Sequence, residues 1–124
     1  MLVDTNIILR YIVKDNKVQF RQIRSLLATT KVLVRNEVLS EVFYVLEAVY
    51  ELPRRNISDV VRKFLQLKNV QVEDEDVVLL AIKTFAKTRL DFVDTLLYAY
   101  HKIKGIEVFT FDKQLLTRLK SVKG

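Results

Sequence analysis

"MLVDTNIILRYIVKD" (1–15) sets the reading of the chain, because an apolar start runs directly into an aspartate, a threonine and an asparagine and then turns hydrophobic again. Leu2 and Val3 read as a short strand, Asp4 as its end, and Thr5 to Tyr11 as a helix. The same alternation recurs along the chain. Short β-branched runs at "KVLV" (31–34), "VQV" (70–72) and "EVFTF" (107–111) are separated by stretches of helical period. Those stretches predict helices over Val18 to Thr29, Asn36 to Glu51, Ser58 to Leu67, Asp74 to Thr88, Phe92 to Lys104 and Lys113 to Lys120. Strands alternating with helices signal an α/β fold with a mostly parallel sheet.

The 124 residues, half of them apolar, suit one ordinary domain, 1–124, with a sizeable core. Only two glycines and one proline interrupt the pattern, so linkers reduce to short polar joints. Twenty-one Lys and Arg against 15 Asp and Glu leave a formal charge of +6, which favours polyanionic partners such as nucleic acid over acidic proteins. With no cysteine, disulfide scaffolds and thiolate metal sites are excluded. No export signal is visible at the start, and the most apolar windows fall well short of the roughly 20 residues that span a bilayer, so a cytoplasmic protein without membrane contact is expected.

In open α/β sheets ligands gather beyond the carboxyl ends of the strands, where strand order reverses. Asp4 ends the first strand and Asp112 the last, so neighbouring strands would place two carboxylates in one crevice. Each has a plain structural alternative as the N-cap of the helix that follows. Asp91 and Asp94 stand three apart and share a face at the start of a helix. Asp94 is favoured as functional, while Asp91 stays open between cap and ligand. In "NEVLSEVFYVLEAVYE" (36–51), Val38, Leu39, Val42, Val45, Leu46 and Val49 make a buried stripe, and periodicity alone leaves Glu41 a solvated glutamate no different from Glu37. Asn36 and Asp91 are natural N-caps and Gly105 a natural stop. The run "EDED" (73–76) suits a helix N-terminus, where negative charge is welcome.

The opening "VDTNIILRYIVKD", the internal "LSEVFYVL", the stretch "DFVDTLLYAY" and the late "VFTFDKQL" resemble, in order and approximate spacing over nearly the whole chain, the PIN-domain ribonucleases, particularly the VapC-type toxins of prokaryotic type II toxin–antitoxin pairs. The resemblance implies a three-layer α/β/α sandwich around a short, mainly parallel sheet. PIN domains usually end on a further strand, whereas "LLTRLKSVKG" (115–124) reads as helix, so four strands are expected. It also implies that Asp4, Glu41, Asp94 and Asp112 form an acidic active-site quartet, raising Glu41 above Glu37. Thr5 or Asn6 and Thr110 match the supporting polar positions, and Asp91 matches a variant whose role stays open between ligand, support and cap. A homodimer and a cognate antitoxin are implied as well.

An oxygen-only quartet suits a hard cation, Mg2+ or Mn2+, and such ions hydrolyse phosphodiesters by activating water and stabilising the leaving oxygen. Clustered carboxylates without metal repel, so some should carry raised pKa values. Arg10, Lys14, Arg89, Lys102 and Lys113 lie close in sequence to the acidic motifs; Arg10 and Lys113 are the candidates for RNA-backbone contact. Tyr11, Tyr98 and Tyr100 could stack on unpaired bases, with burial expected of Tyr11 and Tyr100. His101, about 10 Å along its helix from Asp94, receives no catalytic role. A haloacid dehalogenase-type phosphatase also opens with a strand ending in aspartate, but Asn6 replaces its second acid. A non-catalytic RNA- or protein-binding module on the same scaffold is the remaining alternative.

Overall fold

The computed structural model describes residues 1–121, and within them the chain forms two compact units, Met1–Glu73 and the segment from Asp74 onward. The first unit runs α1 (Thr5–Val13), α2 (Lys17–Thr29), β1 (Val32–Val34), α3 (Asn36–Ala48), α4 (Arg54–Leu65) and β2 (Val70–Val72). Strands β1 and β2 pair in parallel, Val32 opposite Val70 and Val34 opposite Val72. On its other side Leu33 makes a parallel bridge to Leu2. Val32 and Val34 point into a core built with Ile8, Leu39, Val42, Phe43, Leu46, Ile57, Val61 and Phe64, all essentially without solvent contact.

Each helix of this unit starts where local chemistry satisfies its free amides. Asp4 caps α1 by accepting from the Ile7 amide at 3.1 Å, and Asn16 caps α2 by accepting from Gln19 at 3.0 Å. The expected cap at Asn36 is displaced by one residue: Arg35 holds the N-cap position, and the Asn36 amide donates to Glu73 Oε1 at 3.1 Å. Glu73, the first acid of "EDED", therefore serves the start of α3. Helix α4 begins four residues earlier than the expected Ser58, because Pro53, with φ of −61°, leads the chain into helical geometry. Ile57, Val61 and Phe64 then bury one face at helical spacing. Helix α3 stops at Ala48, so Val49, expected in the buried stripe, lies exposed.

The second unit contains α5 (Glu75–Lys87), α6 (Phe92–Lys104) and α7 (Lys113–Lys120). Phe85 meets Phe92 edge to face at 6.3 Å, joining α5 to the start of α6. A second cluster gathers Leu90, Tyr98, Leu115 and Leu119, with Leu80 and Val108 against it. Gly105 closes α6 in the left-handed region at φ of 69°, donating its amide to the His101 carbonyl, as expected of that glycine. His101 Nδ1 is engaged by the Ile106 carbonyl at 2.8 Å, a structural role.

The α/β class is thus present, but among the described residues only β1 and β2 form strands, with Leu2 adding a single bridge. Residues 107–111, expected as a fourth strand, carry no ladder bonds. Their burial nevertheless alternates: Val108 and Thr110 are half-buried, while Phe109 and Phe111 stand 88% and 86% exposed. That period of two belongs to extended chain. The last three residues of "LLTRLKSVKG" lie outside the described residues; the remainder forms α7, as the helical period predicts. No helix among the described residues is long and apolar enough to cross a membrane.

Candidate active site

In the first unit the acids are organised by the start of α1. Asp4 is exposed, and its cap bond to the Ile7 amide fixes where its carboxylate sits. The cap that sequence alone offers as an alternative to function is therefore real, yet a capping carboxylate keeps spare lone pairs for other partners. Asp4 lies on the wall of a cleft of about 460 Å³ shared with Leu2, Ile7, Leu26, Arg35 and Val38. Thr5 is buried and donates from Oγ1 to Glu41 Oε2 at 3.0 Å, tying the first turn of α1 to the second turn of α3. Asn6 is exposed beside them.

That bond separates Glu41 from Glu37, which periodicity could not do. Glu37 turns instead to Arg35 at 3.0 Å. Its carboxyl is held below the usual range by a bond to its own backbone amide and by the Arg35 guanidinium. Glu37 is thus a neutralised surface acid, whereas Glu41 is oriented by a buried hydroxyl next to Asp4.

In the second unit Asp91 holds the N-cap position of α6 but makes no cap bond with its side chain, so the expected capping role falls away. Asp94, in the first turn of α6, is half-buried. Burial pushes its carboxyl above the usual aspartate range, and the negative charges of Asp112 and Asp91 push it further. These three acids therefore share one electrostatic environment. Asp112 caps α7 by accepting from the Leu115 amide at 2.8 Å, and its own amide donates to Thr110 Oγ1 at 3.0 Å. Thr110 supports the position of Asp112 through the backbone. Lys113, the first residue of α7, is exposed directly beyond it.

The basic and aromatic candidates divide. Arg10 is committed to Asp15, both of whose carboxylate oxygens accept from Nη1 at 3.1 Å, so most of its charge is already matched. Tyr98, left available for base stacking by its sequence context, is 3% exposed and lies under the Arg118 guanidinium. Tyr100 donates to Asp74 at 2.7 Å, and Tyr11 packs on Phe20 and Phe64. Lys17, Arg21 and Arg24 on α2, which proximity to the acidic motifs passes over, are exposed with no ion-pair partner among the described residues.

Among the described residues no three His, Cys, Asp or Glu side chains are gathered tightly enough to hold a metal ion as they stand. The donors are nonetheless all carboxylates, the ligand type that a hard divalent cation prefers. A cation beside Asp94 would offset the repulsion from Asp112 and Asp91 that adds to the effect of burial on its carboxyl. No curated protein and no solved structure gives a significant match to the chain. A model of the PIN domain, a family of generally metal-dependent nucleases, matches residues 1–121 and so covers both units and every acid described above. The chain belongs to the PIN-domain family.

Proposed function

We propose that this protein is a metal-dependent endoribonuclease and the toxin of a type II toxin–antitoxin pair, with Asp4, Glu41, Asp94 and Asp112 as its acidic quartet. The Thr5–Glu41 hydrogen bond carries the reading, because it singles out the same glutamate of α3 that the resemblance selects. Support comes from Asp94, whose carboxyl is raised first by burial and then by the charges of Asp112 and Asp91, the part that a bound cation would offset. Asp4, Glu41, Asp94 and Asp112 would hold Mg2+ or Mn2+, and the ion would supply charge neutralisation and an activated water. The chain's own part is positional: Thr5 orients Glu41, Thr110 steadies Asp112, and two cap bonds hold Asp4 and Asp112 at helix starts.

The same reading takes 107–111 as the fourth strand of a three-layer α/β/α sandwich, supported by its alternating burial. It also assigns a homodimer and a cognate antitoxin that covers the acidic crevice. The test is cleavage of a labelled structured RNA with Mg2+, Mn2+ or EDTA, beside Asp4→Asn and Asp94→Asn prepared identically. Metal-dependent cutting lost in both variants is expected. Wild type and variants behaving alike over a range of RNAs would replace the nuclease with a binding module.

A further inference from the structure

A nuclease site lined with carboxylates repels the phosphodiester it must hold, so attraction for the substrate has to come from cations elsewhere on the surface. Helix α2 carries the candidates. From Asn16 to Asn36 the sequence contains no Asp or Glu, yet it holds Lys17, Arg21, Arg24, Lys31 and Arg35. Arg35 is matched by Glu37, and the other four are exposed with no ion-pair partner among the described residues. Of the remaining arginines of this unit, Arg10 pairs with Asp15, Arg54 with Glu47 and Arg62 with Asp59, while Arg55 on α4 is exposed and serves as a control.

Lys17, Arg21 and Arg24 stand at i, i+4 and i+7, within about 60° of arc and about 10 Å of axial length on one face of the helix. Lys31 follows just beyond its end. The apolar residues Ile23 and Leu27 of the same helix are buried, so α2 cannot turn an apolar face toward a bilayer. What it offers is a row of cations with the exposed hydroxyl side chain of Ser25 beside it. That composition fits a phosphate backbone.

We infer that Lys17, Arg21, Arg24 and Lys31 form a phosphate-binding track that holds the RNA backbone outside the acidic site. The inference rests on the ribonuclease reading. The experiment measures binding of a labelled single-stranded RNA across a salt series in the cleavage-silenced Asp94→Asn chain, with and without Arg21→Gln and Arg24→Gln. Arg55→Gln with Lys63→Gln, two exposed bases of α4, serves as the equal-charge control. The α2 pair is expected to weaken binding several-fold and to lower the slope of log affinity against log salt by about 1.4, at about 0.7 per lost contact. In the cutting-competent chain the same pair should raise KM and leave kcat unchanged. The control pair should change each value far less.

An α2 pair that matches wild type, or that changes no more than the control, overturns the track while metal-dependent cutting by wild type leaves the nuclease reading intact. Wild type that neither binds nor cuts RNA overturns both. Loss of binding to poly-glutamate with RNA binding unaltered overturns the track in favour of an acidic protein partner.

Discussion

At the scale of single residues, the hydroxyl of Thr5 separates two chemically identical glutamates. Thr5→Val keeps the shape and removes the donor, leaving Glu41 free to turn to solvent. The expected outcome is at least a tenfold loss of RNA cutting for about 1 kcal/mol of stability, read by cleavage assay and denaturant melt. Glu37→Gln should leave cutting unaltered. Asp94 gives a prediction of opposite sign for stability. Its raised carboxyl means that the folded chain holds this proton more tightly than the unfolded one, so metal-free stability is highest below the ordinary aspartate range. Stability then falls as pH rises through the interval between the ordinary value and the raised one, and the loss persists at neutral pH. Asp94→Asn removes the penalty. Without divalent cations it should melt above wild type at neutral pH, with the gain vanishing in acid, and thermal melts over a pH series measure this.

At the scale of elements, two of the four acids proposed for the site, Asp4 and Asp112, also start helices. Asp112 accepts from the Leu115 amide, and Leu115 is one of the buried anchors of α7. A cap and a catalytic carboxylate can be separated because serine caps nearly as well as aspartate but holds no charge. Asp112→Ser should therefore melt close to wild type while losing metal-dependent cutting. Asp112→Ala should lose cutting and about 1 kcal/mol of stability besides. Equal retention of activity in both would reduce Asp112 to a cap. Helix α4 shows how an element's start escapes a residue-by-residue reading. Ser58 is a good capping type, but Pro53 starts the helix first and Ser58 ends up buried inside it.

At the scale of the whole molecule, a formal +6 accompanies a family whose members are generally metal-dependent nucleases. A cation that binds only the folded chain raises its stability by mass action, about 2.7 kcal/mol at a hundredfold excess over its dissociation constant. Mg2+ or Mn2+ should accordingly raise the melting midpoint of wild type and leave that of Asp94→Asn unmoved. The absence of a shift in wild type would remove the metal from the proposal.

Sequence alone determined what depends on neighbours along the chain. The helical and two-residue periods, the acid after "MLV", the stop at Gly105 and the order of the four motifs are local patterns, and local patterns survive without knowledge of the fold. What depends on partners distant in sequence had to wait for the tertiary structure. Glu41 gained its meaning from a hydroxyl 36 positions away, and the Asn36 amide found its acceptor 37 positions on, at Glu73. Tyr98 was taken into the core, where it packs with Leu115 and Leu119 of α7. Strand pairing belongs to the same class, since ladder hydrogen bonds join segments far apart in the chain. An extended pattern such as 107–111 shows that a strand could form and leaves open what it pairs with.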